Sequence, residues 1–142
     1  MAVAFDVLPE KRLILTACVG QVSFREIMSC VLDCRSDPRY RREYAGICDV
    51  REGTFTLGVD EVRSMAEQIG AGADRSAGKW AFLIDEPKST ALVMVFGSAR
   101  DPATPVRVFV TLPAACEWLD ADATESELST LRRRACGDSL GE

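Results

Sequence analysis

The segment 47–62, ICDVREGTFTLGVDEV, constrains the fold of this chain more than any other. A short apolar strand, Ile47–Val50, leads into the polar, glycine-punctuated segment Arg51–Gly58, and a helix is predicted to begin near Val59. A strand that passes through a loop into a helix is the repeating unit of an open α/β sheet, where ligands act beyond the carboxyl ends of the strands. This segment therefore predicts an α/β fold and a functional edge.

The residues before this unit have the pattern of a hairpin followed by a helix. Ala2–Leu8 and Leu13–Val19 are apolar and partly alternating, which predicts two antiparallel strands, and Gly20 is expected to end the second. Ser23 and Glu26 are then spaced as the N-cap and N3 residues of a capping box, so a helix is predicted to begin there.

The residues after this unit alternate between helical and strand patterns. A helix over about Val59–Ile69 precedes the unbroken apolar run Trp80–Ile84, which is typical of a central strand. Lys88–Ala99 contains ALVMVF, which fits a buried strand or a buried helix on pattern alone. A helix is favoured there, because the next strand, Val106–Val110, needs a crossover to lie parallel. Another helix is predicted from Leu112.

Together these patterns predict an α/β domain over residues 1–120, with the element order β-β-α-β-α-β-α-β-α. Its sheet is expected to be mixed, mostly parallel and five-stranded, with helices packed against it. Residues 121–142 form a polar extension, in which Glu125–Arg134 is expected to be a loosely docked or frayed helix. A length of 142 residues is sufficient for one ordinary core.

Composition argues against several classes of function. The net charge of −5 makes a broad nucleic-acid-binding surface unlikely to form, and no run approaches the ~18 apolar residues of a membrane span. No signal-peptide pattern is visible, so a cytoplasmic protein is expected. The chain has no histidine, which removes Ser-His-Asp and Cys-His catalysis and common zinc sites. We therefore expect no enzymatic activity, no cofactor and no metal.

Six cysteines raise the question of a disulfide framework. Cys18, Cys30, Cys48 and Cys116 lie among apolar residues, and there is no C-x-x-C pair. Reduced, structural thiols are therefore expected, since a buried free cysteine behaves as a small hydrophobe. Cys136, in the polar tail, is expected to be the most reactive.

Four segments of the chain resemble the bacterial SpoIIAA-like, or STAS-like, single-domain proteins. They are LILTACVGQVSFREI at 13–27, DPRYRREYAGICDVRE at 37–52, WAFLID at 80–85 and VRVFVTLPAACEWL at 106–119. The resemblance covers roughly residues 3–120 and implies an α/β STAS-type fold. The best-understood members are anti-sigma-factor antagonists, switched by phosphorylation of a serine at the start of the helix after the third strand. Other relatives bind small or apolar ligands.

The chain departs from this family at the phosphorylation motif. Leu57-Gly58-Val59-Asp60 stands where the phosphorylated members carry an Asp-Ser-x-Gly type motif, and it contains no serine. The resemblance therefore does not carry over the phosphorylation switch. Thr54 and Thr56 are the nearby hydroxyls that we retain as weak phosphorylation candidates.

Two functions follow as hypotheses. The first is a non-enzymatic regulatory or binding module that contacts protein partners, including a second copy of itself, through a set of residues that we call the rim. The rim comprises Asp49, Arg51, Glu52, Thr54, Thr56, Gly58 and Asp60. Asp49 also has a structural interpretation, as a buried carboxylate that accepts hydrogen bonds.

The alternative hypothesis is a carrier or sensor of a small apolar, lipid-like ligand, held between the sheet and the Ala91–Phe96 helix. This helix is apolar on all sides. Such a helix is either deeply buried or presents a face to a ligand or to a second subunit.

Overall fold

A five-stranded sheet with the order β1-β2-β3-β4-β5 forms the centre of the computed structural model, which describes residues 2–137. The strands are β1 Val3–Leu8, β2 Leu13–Val22, β3 Ala45–Phe55, β4 Trp80–Leu83 and β5 Val106–Phe109. The helices are α1 Phe24–Ser36, α2 Val59–Ile69, α3 Pro87–Ser98, α4 Leu112–Leu119 and α5 Glu125–Ala135. Strand β1 is antiparallel to β2, and the other neighbours are parallel. The predicted mixed, mostly parallel α/β sheet is confirmed.

Helices cover both faces of this sheet. Helices α1, α2 and α3 pack on one face, in a core that includes Cys48, Val62 and Phe96. Helices α4 and α5 pack on the other, in a core that includes Ile47 and Leu128. Among residues 2–137, no helix is long and apolar enough to cross a membrane.

Local side-chain chemistry explains where the helices begin. The capping box of α1 forms as predicted, because Glu26 accepts from the Ser23 N–H at 3.0 Å and the Ser23 hydroxyl accepts from the Glu26 N–H at 3.3 Å. Glu86 caps α3 by accepting from the Ser89 N–H at 2.6 Å, and Pro87 occupies the first turn. These signals resolve the ambiguous segment 88–99 as a helix.

Strands β2 and β3 are longer than predicted. Gly20 does not end β2, because it adopts a φ of +70° within the strand and pairs with Gly53 of β3. The expected loop Arg51–Gly58 is also wrong in its first half, since β3 continues to Phe55. The register shifts by one residue between Asp49 and Glu52, so β3 contains a bulge there.

Helix α5 is firmly packed, so the expectation of a loosely docked or frayed helix is wrong. Leu128, Leu131 and Ala135 are at most 2% exposed and lie against β1 and β2. Their spacing places them on one face of an otherwise polar helix. Glu127 also pairs with Lys11 at 2.9 Å. The last five residues of the predicted extension, 138–142, lie outside the described residues.

Candidate functional site

Part of the rim forms an internal ion network at the bulge of β3. The Asp49 carboxylate is fully buried and accepts from the Arg51 N–H at 3.1 Å and from the Arg51 guanidinium at 2.9 and 3.0 Å. It also accepts from Arg132 of α5. Arg51 in turn donates to Glu125 at 2.8 Å, and Arg132 pairs with Glu52 at 3.2 Å. The network therefore connects β3 to α5.

The electrostatics of this network fit a structural role. Burial alone would raise the pKa of Asp49, but hydrogen bonds from Arg51 and Arg132 outweigh it and lower the pKa below its ordinary 3.8. A general acid would need a raised pKa instead. Asp85, the other carboxylate considered for acid–base work, is exposed. The structural interpretation of Asp49 accounts for these contacts.

The remaining rim residues lie at the surface around the start of α2. Thr54, Thr56, Gly58 and Asp60 are exposed. The Thr56 hydroxyl donates to the Val22 carbonyl at 3.1 Å, and the Glu61 carboxylate accepts from the Gly58 N–H at 3.0 Å. The rim thus divides into an ion network around the buried Asp49, in which Glu52 is still exposed, and an exposed part around the start of α2.

A cavity of about 140 Å³ lies between the sheet and helices α1, α2 and α3. It extends from Leu57, near the carboxyl edge of the parallel strands, to Trp80 at their amino edge. Apolar side chains dominate its lining, among them Val62, Met65, Leu92 and Phe96. An apolar cavity of roughly 150 Å³ is large enough to bind benzene.

The cavity explains why the apolar face of α1 is only half-buried. Ile27, Cys30 and Val31 form its apolar face and line the cavity, yet each remains only half-buried. On the opposite side of the sheet, the comparable residues Leu128 and Leu131 are fully buried. The apolar surface of α1 is therefore incompletely covered by the chain itself.

Four thiols line this cavity: Cys18, Cys30, Cys34 and Cys48. All are free, as expected from the sequence. Burial raises the pKa of Cys30 and of Cys34 to about 12, and a hydrogen bond with Cys18 together with burial raises the pKa of Cys48. At neutral pH Cys30, Cys34 and Cys48 are protonated and contribute an uncharged, weakly polar lining.

We expect the rate of alkylation at pH 8 to distinguish the cavity thiols Cys30 and Cys34 from the exposed thiol of Cys136. Cys136 is exposed and should react with N-ethylmaleimide within minutes. With a pKa of about 12, Cys30 and Cys34 should react on the order of a thousandfold more slowly than an ordinary thiol. Peptide mass spectrometry over time measures the rates, and denatured protein is the control. Equal rates at Cys30 and Cys136 in folded protein would contradict this assignment.

Polar side chains gather at one end of the cavity, at the amino edge of the parallel strands. Arg35 lies in the last turn of α1, Tyr40 follows that helix, Ser76 precedes β4 and Arg100 follows α3. All four line the cavity. The sequence patterns point to the carboxyl edge of the strands, so this cluster at the opposite edge was not predicted. The sequence does contain one indication of it. An arginine lies near the carboxyl end of each of two helices, α1 and α3, and both helices return to the same edge of the sheet.

The residues around the cavity do not form a metal centre. Among residues 2–137, no group of three or more aspartate, glutamate or cysteine side chains is arranged to hold a metal ion. The geometry instead offers a partly open apolar space with one polar end.

Comparison with solved structures finds an uncharacterised DUF3478-family protein with a SpoIIAA-like fold from Shewanella loihica PV-4. The two sequences are 14% identical, the match covers 83% of this chain and 94% of that one, and the TM-score is 0.58. At this identity the likeness shows the fold, so this chain has a SpoIIAA-like fold. No protein-family profile and no curated protein matches the chain.

Proposed function

We propose that this SpoIIAA-like module is a carrier or sensor of a small apolar molecule, which binds in the cavity between the sheet and helices α1–α3. The observation that carries the proposal is the cavity of about 140 Å³ with its predominantly apolar lining. Burying apolar surface of a ligand there contributes about 25 cal/mol per Å². The Ala91–Phe96 segment supplies Leu92, Val93 and Phe96 to the lining, as the alternative hypothesis expects.

The packing around the cavity fits a ligand-binding site better than a packing defect. Folded cores are close-packed, and a cavity of this size loses the contacts of every side chain that surrounds it. The half-buried residues Ile27, Cys30 and Val31 lie along this space. A bound apolar molecule would cover them and restore these contacts.

We expect 1-octanol, an uncharged probe, to raise the melting temperature of the protein in a saturable manner. The rise should be about 4 °C at ten times the dissociation constant. Cys30→Phe should abolish the response, because its ring projects from α1 into the cavity. The measurement is a thermal melt followed by circular dichroism over a series of octanol concentrations.

Leu32→Phe is the matched control, because Leu32 lies on the outer side of the same helix and is 58% exposed. Its response to 1-octanol should equal that of the wild type. Val93→Phe, which fills the cavity from α3, provides a second blocked variant if Cys30→Phe does not fold. Absence of a saturable shift in the wild type would overturn the proposal, as would a full response in both blocked variants.

The first hypothesis, contact with a protein partner, now rests on fewer residues. Asp49, Arg51 and Glu52 are committed to the network with α5, which leaves Thr54 and the start of α2. This exposed part of the rim stays our prediction for protein contact and for weak phosphorylation at Thr54 or Thr56. We favour ligand binding because the cavity is already formed between the sheet and helices α1–α3.

A further inference from the structure

Two arginines at the polar end of the cavity have no carboxylate partner among the described residues. Arg35 and Arg100 line the cavity, and both are half-buried. Within residues 2–137, neither guanidinium lies within ion-pair distance of an aspartate or glutamate side chain. Buried charges in proteins are ordinarily paired. The cluster therefore has positive charge that the described residues do not neutralise.

The local contacts of these arginines are with neutral groups. Arg35 donates to the Ile69 carbonyl at the end of α2, and Arg100 donates to the Ser76 carbonyl at 3.5 Å, a long hydrogen bond. The Arg100 guanidinium also lies 5.4 Å from the centre of the Phe96 ring, which itself lines the cavity. A helix carboxyl end supplies only about half a negative charge. These contacts orient the two guanidiniums but compensate little of their charge.

The two positive charges also act on each other. Burial lowers the pKa of Arg100 and the nearby charge of Arg35 lowers it further, while the neighbouring carboxylate of Asp101, which does not pair with it, acts in the opposite direction. Tyr40, which donates from its hydroxyl to the Asp74 carbonyl at 2.7 Å, completes the polar end. An anion between the two guanidiniums would relieve this repulsion and gain charge-assisted hydrogen bonds.

We propose that the ligand of this cavity is an anionic amphiphile, whose carboxylate or phosphate monoester binds Arg35 and Arg100 while its apolar body fills the space between the sheet and α1–α3. This inference rests on the proposed function and adds a head group to it. The cavity of about 140 Å³ is close in size to one that holds benzene, so it suits a short apolar body. Guanidinium groups match both oxyanions through paired N–H donors.

The test compares probes that share one apolar chain. Octanoate or octyl phosphate should bind the wild type at least about tenfold more tightly than 1-octanol, since hydrogen bonds to charged groups strengthen binding by that order. Octylamine and acetate, which lack the anion or the chain, should bind much more weakly. Isothermal titration calorimetry below the micellar range of each probe gives the affinities.

Variants at the polar end assign the effect to the arginines. Arg100→Gln should lower octanoate affinity about tenfold and leave 1-octanol affinity unchanged. Arg35→Gln should act similarly, with circular dichroism to confirm that α2 keeps its fold. Arg107→Gln is the matched control, because Arg107 also lies over an aromatic ring, at 5.6 Å from Phe109, on another part of the sheet.

The outcomes separate this inference from the proposed function. If 1-octanol binds and neither anion binds more tightly, the head-group assignment is overturned and the apolar cavity stands. If no probe binds, both proposals fail together. If Arg107→Gln weakens octanoate as much as Arg100→Gln does, the anion is not held at the polar end, and the inference fails.

Discussion

Replacing Asp49 with alanine is expected to lower the free energy of unfolding by about 3 kcal/mol. The substitution leaves Arg51 and Arg132, whose side chains are 21% and 19% exposed, without the buried carboxylate that they share. It also removes the Asp49–Arg132 link between β3 and α5, although the Arg51–Glu125 and Arg132–Glu52 pairs remain. The value lies at the lower end for broken buried ion pairs, because both guanidiniums can still turn towards water. Urea unfolding followed by circular dichroism measures the loss.

The control for this experiment is Asp33→Ala. Asp33 lies exposed on α1, and alanine is a good helix former, so no measurable loss is expected there. If Asp49→Ala is as well tolerated as Asp33→Ala, the network does not stabilise the fold.

The Asp49 carboxylate also makes the free energy of unfolding depend on pH. Because the folded pKa of Asp49 is lowered from 3.8, its contribution is complete above about pH 4 and is lost as pH falls through the folded pKa. Asp49→Asn should therefore be less stable than the wild type at neutral pH. The difference between them should shrink at lower pH, in urea unfolding curves recorded from pH 7 to pH 2.

Gly78→Ala is the second large effect that we expect, with a loss of about 3 kcal/mol in the free energy of unfolding. A Cβ at Gly78 would lie 2.2 Å from the Tyr44 carbonyl oxygen and 2.6 Å from its carbon. The obstacle is backbone leading into β3, which cannot move as a side chain can. The chain entering β4 therefore requires glycine for this close approach.

Gly97→Ala tests the explanation with the same chemical change. Its Cβ would lie 3.5 Å from Val106, which is ordinary contact, and Gly97 is inside α3, where alanine is favoured by about 1 kcal/mol. Unchanged or higher stability is expected in the same urea unfolding assay. A loss at Gly97 equal to that at Gly78 would show that the backbone clash is not the cause.

Local signals predicted most of the fold. Ser23 with Glu26 marked the start of α1, and the need for a crossover before β5 assigned α3. The errors occurred where distant residues decide the structure. Arg51 and Glu52 look like loop residues, but they lie in β3 because this strand stays paired with the extended β2, and α5 supplies Arg132 to pair with Glu52. Helix α5 looked detached because only Leu128, Leu131 and Ala135 face the sheet.

The candidate site was predicted only in part. The apolar segment Ala91–Phe96 indicated a ligand beneath α3, and the cavity does lie against it. Its polar end could not be predicted, since Arg35 and Arg100 are 65 positions apart in the sequence and meet only after the helices return to one edge of the sheet. Pairing of this kind is a property of topology, which local patterns do not encode.

The cavity also gives this protein a response to hydrostatic pressure. Space that a folded chain packs imperfectly adds to its volume, so the unfolded chain and its solvent occupy less volume. Compression therefore favours unfolding, and the cavity beneath α1–α3 strengthens that tendency. A molecule that fills the cavity removes part of the volume change. Occupancy would then make the fold less sensitive to pressure as well as more stable.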